Sequence, residues 1–108
     1  MRTSYDKSNL KYGDIFKILI WLNNPQKIVE FGILDGYSLE AMLKECSSTC
    51  AVEAYDIFED FVGNHAVYDE IIDKFKKYPN CKIQRGDFYK QWLMYNDDSI
   101  DILHIDIA

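Results

Sequence analysis

The chain has 108 residues, 48% of them hydrophobic and 15% aromatic, enough for one packed core and too few for several domains. That composition excludes a disordered chain, and a formal net charge of -6 argues against a nucleic-acid or anionic-membrane surface. The apolar run from Ile15 to Leu22 is broken by Lys17 and falls far short of a membrane span; with no secretory signal evident, a cytoplasmic protein is expected.

Asp14 is placed to cap a first helix over Ile15 to Leu22. In it Ile15, Ile18, Leu19 and Leu22 share one face and are expected to be buried. Asn23-Asn24-Pro25 ends the helix. A strand follows from about Lys27 to Phe31, then a helix from about Tyr37 to Glu45 with Leu39, Met42, Leu43 and Cys46 on its apolar face. The second strand runs from Ala51 to Tyr55 and closes on Asp56. A third helix spans about Asn64 to Lys77, with Val67, Ile71, Ile72 and Phe75 at helical spacing, and Tyr78-Pro79-Asn80 breaks it. Lys82 to Arg85 reads as the third strand, about Phe88 to Tyr95 as a fourth helix, and Ile100 to Ala108 as a fourth strand. Strands alternating with helices at this spacing predict an α/β fold: a parallel sheet, helices on its faces, right-handed crossovers. Cys46, Cys50 and Cys81 lack tight metal spacing and read as reduced, partly buried thiols.

The chemistry is concentrated in Ile28-Val29-Glu30-Phe31-Gly32-Ile33-Leu34-Asp35-Gly36-Tyr37-Ser38. An apolar strand ends on an acid, a glycine loop follows, and a helix starts. At Gly32 the backbone turns sharply, and a side chain there would block a ligand lying against the loop. Gly36 opens the helix whose unpaired N–H groups face the crevice. An ordinary strand–turn–helix junction shares these features. This E-x-G-x-x-x-G-x-S pattern resembles motif I of the class I S-adenosylmethionine-dependent methyltransferases.

The resemblance extends from about residue 12 to the end, and it implies a Rossmann-like sheet in the order 3-2-1-4. It assigns Glu30, Phe31, Gly32, Gly36, Tyr37 and Ser38 to the cofactor, S-adenosyl-L-methionine, with Glu30 orienting the methionyl end directly or through the loop amides. Asp56 lies about 20 residues beyond Gly36, where nucleotide-binding folds place an acid for the ribose diol. It is followed by Ile57; Glu53, within the strand, is the weaker candidate, and a solvated loop acid is the alternative. Gly86 and Asp87 end the third strand near the expected adenine amine, with Phe88 available to cover the base. Asp87 is equally suited to capping the fourth helix.

Asp106 closes the strand Asp101-Ile102-Leu103-His104-Ile105-Asp106. In related catechol-type and sugar-modifying enzymes, an acid here helps to bind a metal or deprotonates the acceptor. Asp106 is therefore the catalytic candidate, although this chain continues with Ile107-Ala108 where many relatives continue with glycine and then a histidine. No metal ligand is assigned. His104 faces away from Leu103 and Ile105 and reads as a packed strand histidine rather than a base.

The fourth strand is apolar on both faces, which suits the interior of a covered sheet. It would otherwise be an unprotected edge. The chain is therefore expected to be the N-terminal, cofactor-binding half of a longer methyltransferase, a single domain over residues 1–108. Its acceptor would be a small molecule methylated on oxygen, and the resemblance leaves room for a homodimer. Two rivals stand beside this reading. A nicotinamide-dependent dehydrogenase fragment would share the loop and the strand-two acid but usually carries G-x-G-x-x-G. A noncatalytic Rossmann-like interaction module is the other.

Overall fold

The computed structural model describes residues 12–60, 62–63 and 66–107. Its elements are α1 (Tyr12–Asn23), β1 (Lys27–Phe31), α2 (Tyr37–Glu45), β2 (Ala51–Asp56), α3 (Tyr68–Phe75), β3 (Cys81–Arg85), α4 (Phe88–Gln91) and β4 (Ile102–Ile105), with 3-10 turns at Phe58–Asp60 and Trp92–Met94. The strands form one parallel sheet in the order β3-β2-β1-β4, as the sequence predicts.

Strand alternation sorts the side chains onto two faces. On one, Ile28, Val52, Ala54 and Ile102 meet Phe16 and Ile20 of α1, Leu39, Met42 and Leu43 of α2, and Ile71 and Phe75 of α3. On the other, Val29, Phe31 and Tyr55 meet Phe88, Tyr95 and Ile100. The second face is thinner and mostly aromatic. It also carries a polar chain: the Tyr55 and Tyr95 hydroxyls are 2.7 Å apart, Tyr95 donates to Glu53 at 3.2 Å, and Lys27 pairs with Glu53 at 3.1 Å.

The first helix differs from the expectation in both start and phase. It begins at Tyr12, so Asp14 lies inside the first turn rather than capping it; there its charge still suits the helix dipole. The face turned inward carries Gly13, Phe16 and Ile20, whereas Ile15, Ile18, Leu19 and Leu22 are exposed, Leu22 to 78%. Gly13 lies on this inner face, against α2. A Cβ there would lie 3.5 Å from the Tyr37 ring and 3.6 Å from Ala41, so the helices pack closely at that point. Asn24, at φ 43, and Pro25 end α1, with the Asn24 N–H bonded to the Ile20 carbonyl.

Three other boundaries also move. The third helix starts at Tyr68, not Asn64, and residues 64 and 65 lie outside those described. The Glu59 carboxylate accepts from the Tyr68 N–H and so fixes the helix start. Ile71 and Phe75 are buried, while Val67 and Ile72 remain partly exposed. The fourth helix is a single turn that tightens into 3-10 geometry before Tyr95, leaving Trp92 and Leu93 exposed. Strand β4 is shorter than the predicted Ile100 to Ala108, and Ala108 lies outside the described residues. The cysteines are free thiols, with burial pushing Cys50 and Cys81 up to about 12.

Candidate functional site

All four strands are parallel, so their carboxyl ends share one rim, and the predicted site residues leave the sheet there. The loop after β1 holds Gly32 and Gly36 at φ 93 and 82, values natural only to glycine. The Gly32 N–H bonds the Tyr55 carbonyl at 2.8 Å, the Gly86 N–H bonds the Asp56 carbonyl at 3.0 Å, and the Asp106 N–H bonds the Phe31 carbonyl at 2.8 Å. Backbone bonds thus stitch the rim across the strands.

The reason for Gly32 differs from the expected one. A Cβ at this position would lie 2.0 Å from the Asp106 carbonyl oxygen and 2.7 Å from its carbon. The close approach that demands glycine is made by the chain's own backbone leaving β4, before any ligand is considered. At Gly36 a Cβ would strike the Phe75 ring at 2.5 Å, so this glycine seats α3 against the loop. Lys74, beside Phe75, donates to the Asp35 carbonyl at 2.9 Å.

Asp56 is only 8% exposed and serves the loop. Its Oδ2 accepts from the Ile33 and Leu34 N–H groups at 2.7 and 3.3 Å, and its Oδ1 accepts from the Phe58 N–H at 2.7 Å. This is not the solvated loop acid of the alternative reading. Glu53 lies on the thin face with Lys27 and Tyr95 and is not brought to the rim. Ile57 follows Asp56 and is half-buried. Asp87 caps α4, its Oδ1 accepting from the Tyr89 N–H at 3.0 Å. Phe88 packs edge-on to Phe31 at 5.0 Å, and Phe31 stacks on Tyr55. Asp106 is exposed at the end of β4, and Tyr37 is 49% exposed at the start of α2.

Glu30 is the most deeply buried acid of the site, with no exposed surface. Its Oε2 accepts the Ser38 hydroxyl at 2.6 Å and lies 2.8 Å from His104 Nδ1. Its Oε1 is buried without a hydrogen-bond partner among the described residues. Burial pushes the Glu30 carboxyl above the usual carboxylate range, against the pull of its bonds to His104 and Ser38. The hydrogen bond to Glu30 raises His104 in turn, against that ring's own burial. Sequence reading placed His104 correctly as a packed strand residue but gave it no part in the site. The register β1–β4, which sets Glu30 opposite His104, was the missing fact.

The residues present suit the amino-acid end of S-adenosylmethionine. Helix α2 follows Gly36, an N-cap residue with no side chain to offer its first turn, and a helix start of this kind suits a carboxylate. Beneath that turn, Oε1 of Glu30 is a buried acceptor with no partner among the described residues. Among the described residues no three metal-ligating side chains cluster, and no helix is long and apolar enough to cross a membrane.

A parallel sheet with a glycine loop after its first strand and an acid after its second defines a Rossmann-like α/β fold. More particularly, it is the fold seen over part of the length of several solved O-methyltransferases. The chain is similar to an O-methyltransferase from Bacillus cereus in complex with S-adenosylhomocysteine, at 20% identity and a TM-score of 0.69, covering 96% of this chain and 47% of that one. It is similar to an O-methyltransferase of tomaymycin synthesis from Streptomyces achromogenes, in complex with S-adenosylmethionine, at 13% identity and a TM-score of 0.69, covering 94% and 46%. A methyltransferase from Podospora anserina with bound S-adenosylhomocysteine matches at 17% identity and a TM-score of 0.69, covering 94% and 43%. The chain therefore spans less than half the length of these structures. No protein-family model and no curated protein matches it.

Proposed function

We propose that residues 1–108 are the cofactor-binding domain of an S-adenosylmethionine-dependent methyltransferase that transfers methyl to an oxygen of a small-molecule acceptor. The observation that carries this reading is the glycine loop and start of α2 lying over the buried Glu30 at the rim of a sheet in the order β3-β2-β1-β4. The bound cofactor supplies an electrophilic methyl on sulfonium, so the protein's work is mainly alignment.

Complete burial of Glu30 favours the indirect route: by holding Ser38 it fixes the first turn of α2, whose N–H groups receive the methionyl carboxylate. Asp56 shapes the loop on the side where the ribose would lie. Gly86, Asp87 and Phe88 flank the adenine, with Ile57 beside them. Asp106 is the base that takes the acceptor proton, and its exposure beside Gly32 suits that role. A cytoplasmic location, a homodimer and the absence of nucleic-acid or membrane partners complete the proposal, in keeping with the acidic balance of the chain.

The test is ligand-induced thermal stabilisation of this chain by S-adenosylhomocysteine against NAD. A shift with the first alone is expected. A shift with NAD alone would transfer the loop to a dehydrogenase, and no shift with either would leave an interaction module.

A further inference from the structure

Three elements meet at one oxygen. His104 on β4 and Ser38 on α2 both bond Glu30 Oε2 on β1, at 2.8 and 2.6 Å. Glu30 and His104 are register partners on adjacent strands, so the imidazole reaches the carboxylate without leaving its own pleat. The ring of Phe16 stands edge-on to the imidazole at 4.9 Å and fixes its plane from the α1 side. The Ser38 hydroxyl has one hydrogen to give, and here it goes to Glu30. With both donors on Oε2, the carboxylate is gripped along one edge while Oε1 has no partner among the described residues. Removing either donor frees the group to pivot towards a new partner, because an unmet buried carboxylate oxygen is costly.

We propose that His104 is a positioning residue for the amino-acid end of the cofactor. Through Glu30 it fixes Ser38, and through Ser38 it fixes the first turn of α2. The inference rests on the cofactor reading above. It makes a claim that reading does not: the effect of His104 is confined to one end of the ligand. The adenosyl end is served by groups after β2 and β3, on the far side of β1 from β4. A change at His104 therefore weakens ligands that carry the amino acid and spares those that lack it.

Two substitutions separate this role from a packing role. His104→Phe keeps an aromatic ring against Phe16 and removes the donor. His104→Asn places an amide nitrogen where Nδ1 stands and keeps the donor. Calorimetric affinities are measured on this chain for S-adenosylhomocysteine and for 5′-methylthioadenosine, which shares the adenosyl part but has no amino acid. For His104→Phe the expected result is about tenfold weaker S-adenosylhomocysteine binding with methylthioadenosine affinity changed by less than about twofold, the scale of one lost hydrogen bond to a charged group. His104→Asn restores S-adenosylhomocysteine affinity to near that of the parent. Ser38→Ala, which breaks the other bond to the same oxygen, gives the same selective loss and carries the test if His104→Phe fails to fold. Unchanged S-adenosylhomocysteine binding in the donor-less variants, equal losses for both ligands, or failure of His104→Asn to rescue would each overturn the proposal. If the parent chain binds neither ligand, the cofactor reading fails first and takes this inference with it.

Discussion

Asp56 restrains two residues in a backbone conformation that neither prefers. Leu34 and Phe58 both have φ of 53, and each donates its N–H to this one carboxylate. Bulky residues in the left-handed region cost about 1–3 kcal/mol each, and they persist only where their surroundings fix them. Asp56→Ala leaves the Ile33, Leu34 and Phe58 amides without that acceptor. It should lower stability by about 2–4 kcal/mol, the scale of a few unmet buried donors, and weaken S-adenosylhomocysteine as a consequence. Asp56→Asn keeps one acceptor and should lose less of both. Denaturant unfolding beside calorimetry checks this: a variant of full stability that loses only the ligand would give the carboxylate a purely ligand-facing duty. Gly32→Val makes the complementary case. Its side chain meets the Asp106 backbone and its φ of 93 excludes a branched residue, so the folded state itself should be lost along with cofactor binding. A Gly32→Val chain with parental unfolding behaviour would contradict the contact.

At the level of elements, β1 and α2 have the boundaries read from the sequence, because both are set by local signals: a short apolar run and a glycine loop. The phase of α1 was not legible. Ile15, Phe16, Ile18, Leu19, Ile20, Trp21 and Leu22 are apolar nearly all round the helix, so periodicity selects no unique face. Packing against α2 and the sheet selects it, with Phe16 and Ile20 entering the core, and that packing exists only once those elements are in place. The site divides in the same way. Positions at strand ends were legible from spacing, whereas hydrogen-bond partners depend on strand order and register, as His104 beside Glu30 shows. That pair also predicts a pH response. Both groups are raised in the folded chain, so this pair holds more protons folded than unfolded. The pair's contribution is fully present below the unfolded values, 4.5 for Glu30 and 6.5 for His104, and is lost as pH rises through the raised ones. The melting temperature should therefore fall as pH is taken from mildly acidic to mildly alkaline, and His104→Asn should flatten the part of that fall above 6.5. A parent chain that gains stability over this range, with His104→Asn tracking it, would show that the pair is not the source.

For the molecule as a whole, the two sides of the sheet are unequally covered. Leu103, Ile105 and Ile107 are 48%, 45% and 40% exposed along the β4 edge, and Trp92, Leu93 and Met94 stand out on the thin face. An open apolar edge pairs readily with another chain. The 108-residue chain on its own should self-associate, and lysines at Leu103 and Ile105 should suppress it. Sedimentation of parent and double variant decides the point; identical behaviour would place the adhesive surface elsewhere.

The bond between Glu30 and His104 joins residues 74 apart, and the carbonyl against Gly32 comes from Asp106, later still. During synthesis the ribosome releases β1, α2, β2 and β3 well before either partner emerges. Closing so long a loop is the slow, entropically costly step of a parallel sheet. A nascent chain that ends before β4 thus carries its glycine loop with Glu30 unbuttressed and no backbone against Gly32. The surroundings of Glu30 and Gly32 therefore take their final shape only when β4 joins the three strands that precede it in the chain.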